Sequence, residues 1–158
     1  MSSSRNNLSK YDFSLVPSGK GLKVGVVVSE WNSEITEQLY NGAKLTLIKH
    51  KVQDSDIIRY NVPGSFELIY GAKSIQKKNI DVLITIGSII RGETKHFDFI
   101  SQAVANGIAI MNSNGTCPII FCVLTDDNIS QAKDRSGGKH GNKGVEAAVS
   151  ALKMANLG

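Results

Sequence analysis

Short β-branched runs alternate with helix-period segments along this chain, and that alternation narrows the choice of fold more than any other feature. Residues 22–28 read LKVGVVV, apolar from Val24 onward rather than at every second position. A strand with one wet face would alternate; a continuous run belongs to a strand covered on both faces, as in a parallel sheet. Asn32 or Ser33 can cap a helix in which Ile35, Leu39, Gly42, Ala43, Thr46 and Leu47 keep helical spacing to about His50. Residues 56–62 read as a second strand, stopped by Pro63-Gly64, and 66–78 as a helix. Residues 81–87 (DVLITIG) form a third strand, followed by a helix from about His96 to Asn112. Residues 118–124 (PIIFCVL) form a fourth strand. Helices over 128–136 and 142–156, joined by GGKHG, complete the pattern.

Such alternation predicts an α/β protein with a four-stranded parallel sheet, helices on both faces and right-handed crossovers. Residues 22–158 read as a single domain and 1–21 as an N-terminal arm. A chain of 158 residues can bury about 70% of its unfolded surface and needs no disulfide staple.

Several function classes drop out. No run approaches the ~20 apolar residues of a membrane helix. The N-terminal MSSSRNNLSKYDF lacks the apolar stretch of a secretory signal, so a cytoplasmic protein is expected. The net charge of +4 comes from scattered lysines, among them Lys73, Lys77 and Lys78. A nucleic-acid surface calls for a dense basic stripe with interleaved aromatics, and none is visible. Cys117 and Cys122 lie five apart on an apparent strand and should face opposite ways as buried free thiols. No Cys/His grouping has metal-ligand spacing.

Ligands of an open parallel sheet bind beyond the carboxyl ends of its strands. The unusual polar and aromatic residues collect there: SEWN, PGSFE, GSIIRGETKH and TDDN follow strands one to four. In the third segment Gly87 and Gly92 flank a strand-to-helix turn. A nucleotide loop would continue with Lys and Ser or Thr; here Glu93 and Thr94 follow, which argues against a nucleoside triphosphate but not against a small phosphate at the helix start. A plain glycine turn capped by Glu93 or Thr94 fits the spacing equally well.

His96 stands at that helix start, with an imidazole suited to proton transfer near neutrality; a capping histidine is the bland alternative. His50 and His140 lack such company and read as solvent-exposed. Trp31, the only tryptophan, reads as a stacking platform or an aromatic lid. Phe66 and Phe121 adjoin apolar runs, which favours the core. Arg135 could clamp a phosphate, but a cation at a helix C-terminus is the better reading of the residue alone. Glu67 is either a helix-N-terminal acid or an acceptor for ligand hydroxyl and ring N–H groups. Together these readings describe a small α/β protein whose rim suits a flat ring and a small phosphate.

Three blocks, VPGSFE, IGSIIRGETKHFDFI and VLTDDNISQAKDRSGGKHGNKGVEAAVSALKM, resemble in order and spacing the lumazine synthase family of riboflavin biosynthesis, over about residues 23–154. The resemblance implies a flavodoxin-like three-layer α/β/α sandwich, with the N-terminal arm adding a strand to a neighbouring subunit. It implies condensation of 5-amino-6-(D-ribitylamino)uracil with 3,4-dihydroxy-2-butanone 4-phosphate, without metal or organic cofactor. By position it implies His96 as the proton-transferring residue. Trp31, Ser65, Phe66, Glu67, Ser88, Ile89 and Ile90 would contact the aminouracil, with Phe121 from the adjacent subunit and Lys143 as a further polar contact. Glu93, Thr94 and the neighbour's Arg135 would hold phosphate. The family assembles as pentamers, in many members as a shell of twelve, and riboflavin synthase is an implied partner. The GGKHGNKG link favours the shell. Two positions depart from the family pattern: Cys122 where glycine is usual and Ser65 where alanine is commoner. The alternatives carried forward are a non-catalytic lumazine- or flavin-binding shell protein and an archaeal-type riboflavin synthase. A response-regulator module lacks its acidic phosphoacceptor pocket.

Overall fold

The computed structural model describes residues 7–157. Four parallel strands form one sheet: β1 (Val24–Ser29), β2 (Ile57–Val62), β3 (Val82–Ile90) and β4 (Ile119–Asp126), in spatial order β2-β1-β3-β4. Helices α1 (Ser33–Lys49), α2 (Leu68–Gln76), α3 (His96–Asn114), α4 (Ile129–Arg135) and α5 (Lys143–Ala155) complete the layers. The link expected between α4 and α5 is a small antiparallel hairpin, β5 (Ser136–Gly138) and β6 (Gly141–Asn142).

The expected three layers are present. On one face Ile35, Leu39, Ala43 and Leu47 of α1 and Ala147, Ala148, Ala151 and Leu152 of α5 pack on Val26, Val28, Ile84, Ile86 and Cys122. On the other, Leu68, Ala72 and Ile75 of α2 and Val104 and Ile108 of α3 pack on Val27, Leu83, Ile119 and Val123. All six residues of β1 are buried, as its continuous apolar run requires. Each fully buried Val, Ile or Leu stabilises the fold by roughly 1.5–3 kcal/mol. Cys117 and Cys122 are free, buried and assigned to opposite cores, and burial pushes the Cys122 thiol up to about 12. The Cys122 thiol is thus an inert apolar filler under α5.

β3 runs three residues beyond its expected end, because its ladder with β4 continues to Ile90 opposite Asp126. Ser88, Ile89 and Ile90 therefore sit on a strand rather than in a turn. A second correction concerns His50, read as exposed but only 2% accessible. The cause is the segment before β1. Phe13 stacks on the His50 ring with centroids 4.2 Å apart, and Tyr11 Oη lies 3.2 Å from Nε2. Gly19 N–H donates to the His50 carbonyl at 2.7 Å, and Val16 enters the core. His140 is half-buried, its carbonyl accepting from Leu8 N–H at 2.7 Å. From Asn7 onward the arm thus lies against its own chain; residues 1–6 fall outside the described residues.

Candidate active site

A cleft of about 640 Å³ opens beyond the carboxyl ends of β1, β2 and β3. It is lined by Trp31, Asn32, Pro63, Gly64, Ser65, Phe66, Glu67, Ser88, Ile89, Ile90, His96 and Ile100. The strand ends are tied together there. Glu30 N–H donates to the Val62 carbonyl at 2.9 Å and Trp31 N–H to the Pro63 carbonyl at 3.1 Å. Gly87 lets the 63–67 loop close on β3: a Cβ at this glycine would lie 2.7 Å from Ser65 Oγ and 3.0 Å from Leu68 Cδ1.

Trp31 is 74% and Phe66 51% exposed at the cleft. The core reading of Phe66 is therefore corrected, since a large apolar ring held at a cleft wall is available to stack on a planar ligand. Ser88 Oγ is buried with no hydrogen-bond partner among the described residues, so the wall carries an unused donor and acceptor. Glu67 occupies the N-cap position of α2 and makes no side-chain capping bond. His96 is the first residue of α3 and is exposed; its N–H donates to Thr94 Oγ1 at 3.3 Å. Thr94 thus supports the helix start, although the N-cap position itself is Lys95.

Arg91 braces this turn. Its N–H donates to the Asp126 carbonyl at 2.9 Å, its Nε lies 3.0 Å from Asp127 Oδ1 and its Nη2 3.1 Å from Asp98 Oδ1. The guanidinium also covers the Phe97 ring, 4.2 Å from the centroid.

The remaining expected residues do not line the cleft of their own chain. Glu93 and Thr94 are exposed in the turn before α3. Phe121 is on edge strand β4 and 36% exposed, so its core reading is corrected too. Lys143 pairs with Glu146 at the start of α5. Arg135 Nη1 donates to the Gln131 carbonyl at 3.0 Å, the contact expected of a helix-C-terminal cation, and lies 3.7 Å from Asp126 Oδ1.

Asn32 belongs to the site in a way its sequence reading missed. It was a candidate cap for α1, but it takes left-handed backbone angles (φ 57°, ψ 44°) and makes no capping bond. Its amide instead donates to the Ser88 carbonyl at 2.8 Å. The signal was present in the residue type, since Asn tolerates this conformation better than most side chains. Pro63, Gly64 and Ile100 also join the lining.

Among the described residues no group of three or more His, Cys, Asp or Glu converges as a metal site, and no helix is long and apolar enough to cross a membrane.

The profile of the 6,7-dimethyl-8-ribityllumazine synthase family matches residues 21–158. Curated proteins of that name are similar over nearly the whole chain. The one from Christiangramia forsetii is 54% identical across 99% of this chain and 95% of its own. That from Flavobacterium johnsoniae is 56% identical across 99% of this chain and 83% of its own. That from Porphyromonas gingivalis is 50% identical across 99% and 98%. A parallel α/β sandwich with an aromatic-walled cleft at its strand ends, matched end to end by such relatives, is an enzyme of the 6,7-dimethyl-8-ribityllumazine synthase family.

Proposed function

We propose that the chain condenses 5-amino-6-(D-ribitylamino)uracil with 3,4-dihydroxy-2-butanone 4-phosphate, releasing the lumazine, phosphate and two waters. The observation that carries the residue assignment is the single cleft shared by Trp31, Ser65, Phe66, Glu67, Ser88, Ile89, Ile90 and His96. The aminouracil stacks on Trp31, with Phe66 beside it. Glu67 and the Ser88 hydroxyl accept from ring and ribityl donors. The ketone's phosphate sits at the Glu93–Thr94 turn, where the start of α3 favours an anion. His96 moves protons between the substrate nitrogen and oxygen atoms during imine formation and phosphate loss. An amine nucleophile, a ketone and a phosphate leaving group need mainly proximity and proton transfer, so the reaction calls for neither metal nor organic cofactor.

The complete site is formed between subunits of a pentamer. Arg135 and Phe121, outside their own chain's cleft, serve that of a neighbour, and Lys143 adds a polar contact. Support comes from exposed apolar side chains on α2 and α3, with Tyr70 78%, Phe99 67% and Ile110 62% accessible; such surface calls for cover. Twelve pentamers close into a shell. The enzyme works in the cytoplasm and passes its product to riboflavin synthase.

Purified protein mixed with both substrates should yield the lumazine's absorbance and free phosphate above the spontaneous rate. Product formation no faster than without protein would refute the assignment. A bound flavin or lumazine without turnover would favour the shell-protein alternative, and product from lumazine alone without phosphate release the riboflavin synthase one. Size-exclusion chromatography with light scattering tests the assembly, a monomer being the refuting result.

A further inference from the structure

A buried carboxylate stands beside the arginine assigned to phosphate, and no step above uses it. Asp126, the last residue of β4, is 4% exposed. Its Oδ1 lies 3.7 Å from Arg135 Nη1, and its Oδ2 is buried with no hydrogen-bond partner among the described residues. At that distance the contact is an ion pair without a hydrogen bond. The carboxylate has therefore surrendered water for an incomplete set of partners, an arrangement that costs stability. Burial pushes its carboxyl above the ordinary carboxylate range; Arg135 pulls it back and neighbouring Asp127 pushes it further up.

The backbone of the same residue accepts the Arg91 N–H at 2.9 Å, at the start of the turn that leads to Glu93 and Thr94. Asp126 thus adjoins both elements assigned to phosphate, although the two serve different clefts in the proposed assembly.

We infer that Asp126 is a counter-charge that limits how tightly Arg135 holds phosphate. A carboxylate this close offsets part of the guanidinium's field and repels an arriving dianion, and burial keeps salt from screening it. At 3.7 Å the carboxylate acts on the guanidinium through its charge rather than as a bidentate hydrogen-bonded pair. The expected consequence is ready release of inorganic phosphate after each turnover. The inference rests on the phosphate role of Arg135 and refines it.

The test uses the assembled full-length enzyme and two variants that remove the charge with different volumes, Asp126→Asn and Asp126→Ser. Inhibition by inorganic phosphate should tighten about tenfold in both, the order expected for losing one partly buried like charge. The KM for the phosphorylated ketone should fall, while that for the aminouracil stays at the wild-type value. Unchanged phosphate inhibition in both variants overturns the inference, and weaker inhibition overturns it in favour of a carboxylate that merely positions Arg135. Adding Arg135→Ala to Asp126→Asn should abolish the tightening; a tightening that survives means the effect does not run through Arg135. Arg135→Ala alone separates the two levels: if it leaves phosphate inhibition intact, the phosphate role itself fails.

Discussion

The side-chain amide of Asn32 donates to the main-chain carbonyl of Ser88 across 2.8 Å, joining the end of β1 to the end of β3 beneath the cleft. The bond holds Trp31, the residue before, against the strand that carries Ser88, Ile89 and Ile90. Asn32→Ala loses this bond and replaces a side chain that tolerates left-handed backbone with one that adopts it less readily, so it should cost about 2 kcal/mol in stability. Asn32→Gly loses the bond without the backbone penalty and should cost about half as much. Both should raise the KM for the aminouracil more than that for the phosphorylated ketone. Thermal unfolding and steady-state kinetics of the pair check this.

His96→Ala should slow turnover by about a hundredfold, the lower end of what a positioned acid–base group contributes. Binding of the aminouracil should persist, because stacking and ring contacts come from other residues. Fluorescence titration of the variant with that substrate separates the two effects; lost binding with unaltered turnover would contradict the proton-transfer role.

Arg135→Ala removes a charge-assisted contact worth about 1.5–3 kcal/mol. The KM for the phosphorylated ketone should rise roughly ten- to a hundredfold. Arg135→Lys should recover part of the loss, since it keeps the charge without the planar fork. Kinetics with the ketone as varied substrate measure this, and unchanged KM and kcat would remove Arg135 from the site.

Gly87→Ala should destabilise the fold by about 1–3 kcal/mol through overpacking. The new methyl would press on Ser65 Oγ and Leu68 Cδ1, at 2.7 and 3.0 Å. Displacement of the 63–67 loop should also weaken aminouracil binding. Denaturant unfolding and a KM comparison test both parts.

His50 gives the stability a pH dependence. Burial first, and Lys49 second, hold its pKa below the ordinary 6.5. The unfolded chain therefore takes up a proton near 6.5 while the folded chain resists until lower pH. Stability should fall as pH drops from about 6.5 towards the folded-state pKa, then level off. His50→Gln should flatten that part of the Tm-against-pH curve; an unchanged curve would mean that His50 does not titrate differently in the two states.

The roles of several residues could be read locally, and others could not. Trp31 and His96 stood out because a tryptophan falls just past the first strand and an imidazole stands at a helix start beside a candidate anion site. Phe66 and Phe121 were drawn towards the core by apolar neighbours in sequence, yet their rings are half-exposed and about one-third exposed. Asn32 passed as a cap because capping and cross-strand bonding use the same side-chain amide. Arg135 looked like a helix-end cation, and within one chain it does meet the Gln131 carbonyl.

Sequence alone settled the class of fold and pointed to the rim at which the cleft opens. Hydrophobic periodicity is a local property, and a continuous β-branched run such as VGVVV can be buried only inside a covered parallel sheet. Pairing between distant segments decided the rest. Strand β3 reaches Ile90 because Asp126 lies opposite it, His50 is buried because Phe13 and Tyr11 fold onto it, and a carboxylate meets Arg135 because β4 ends beneath α4. Each of these depends on which residues become neighbours when the layers close, information that no single stretch of chain contains.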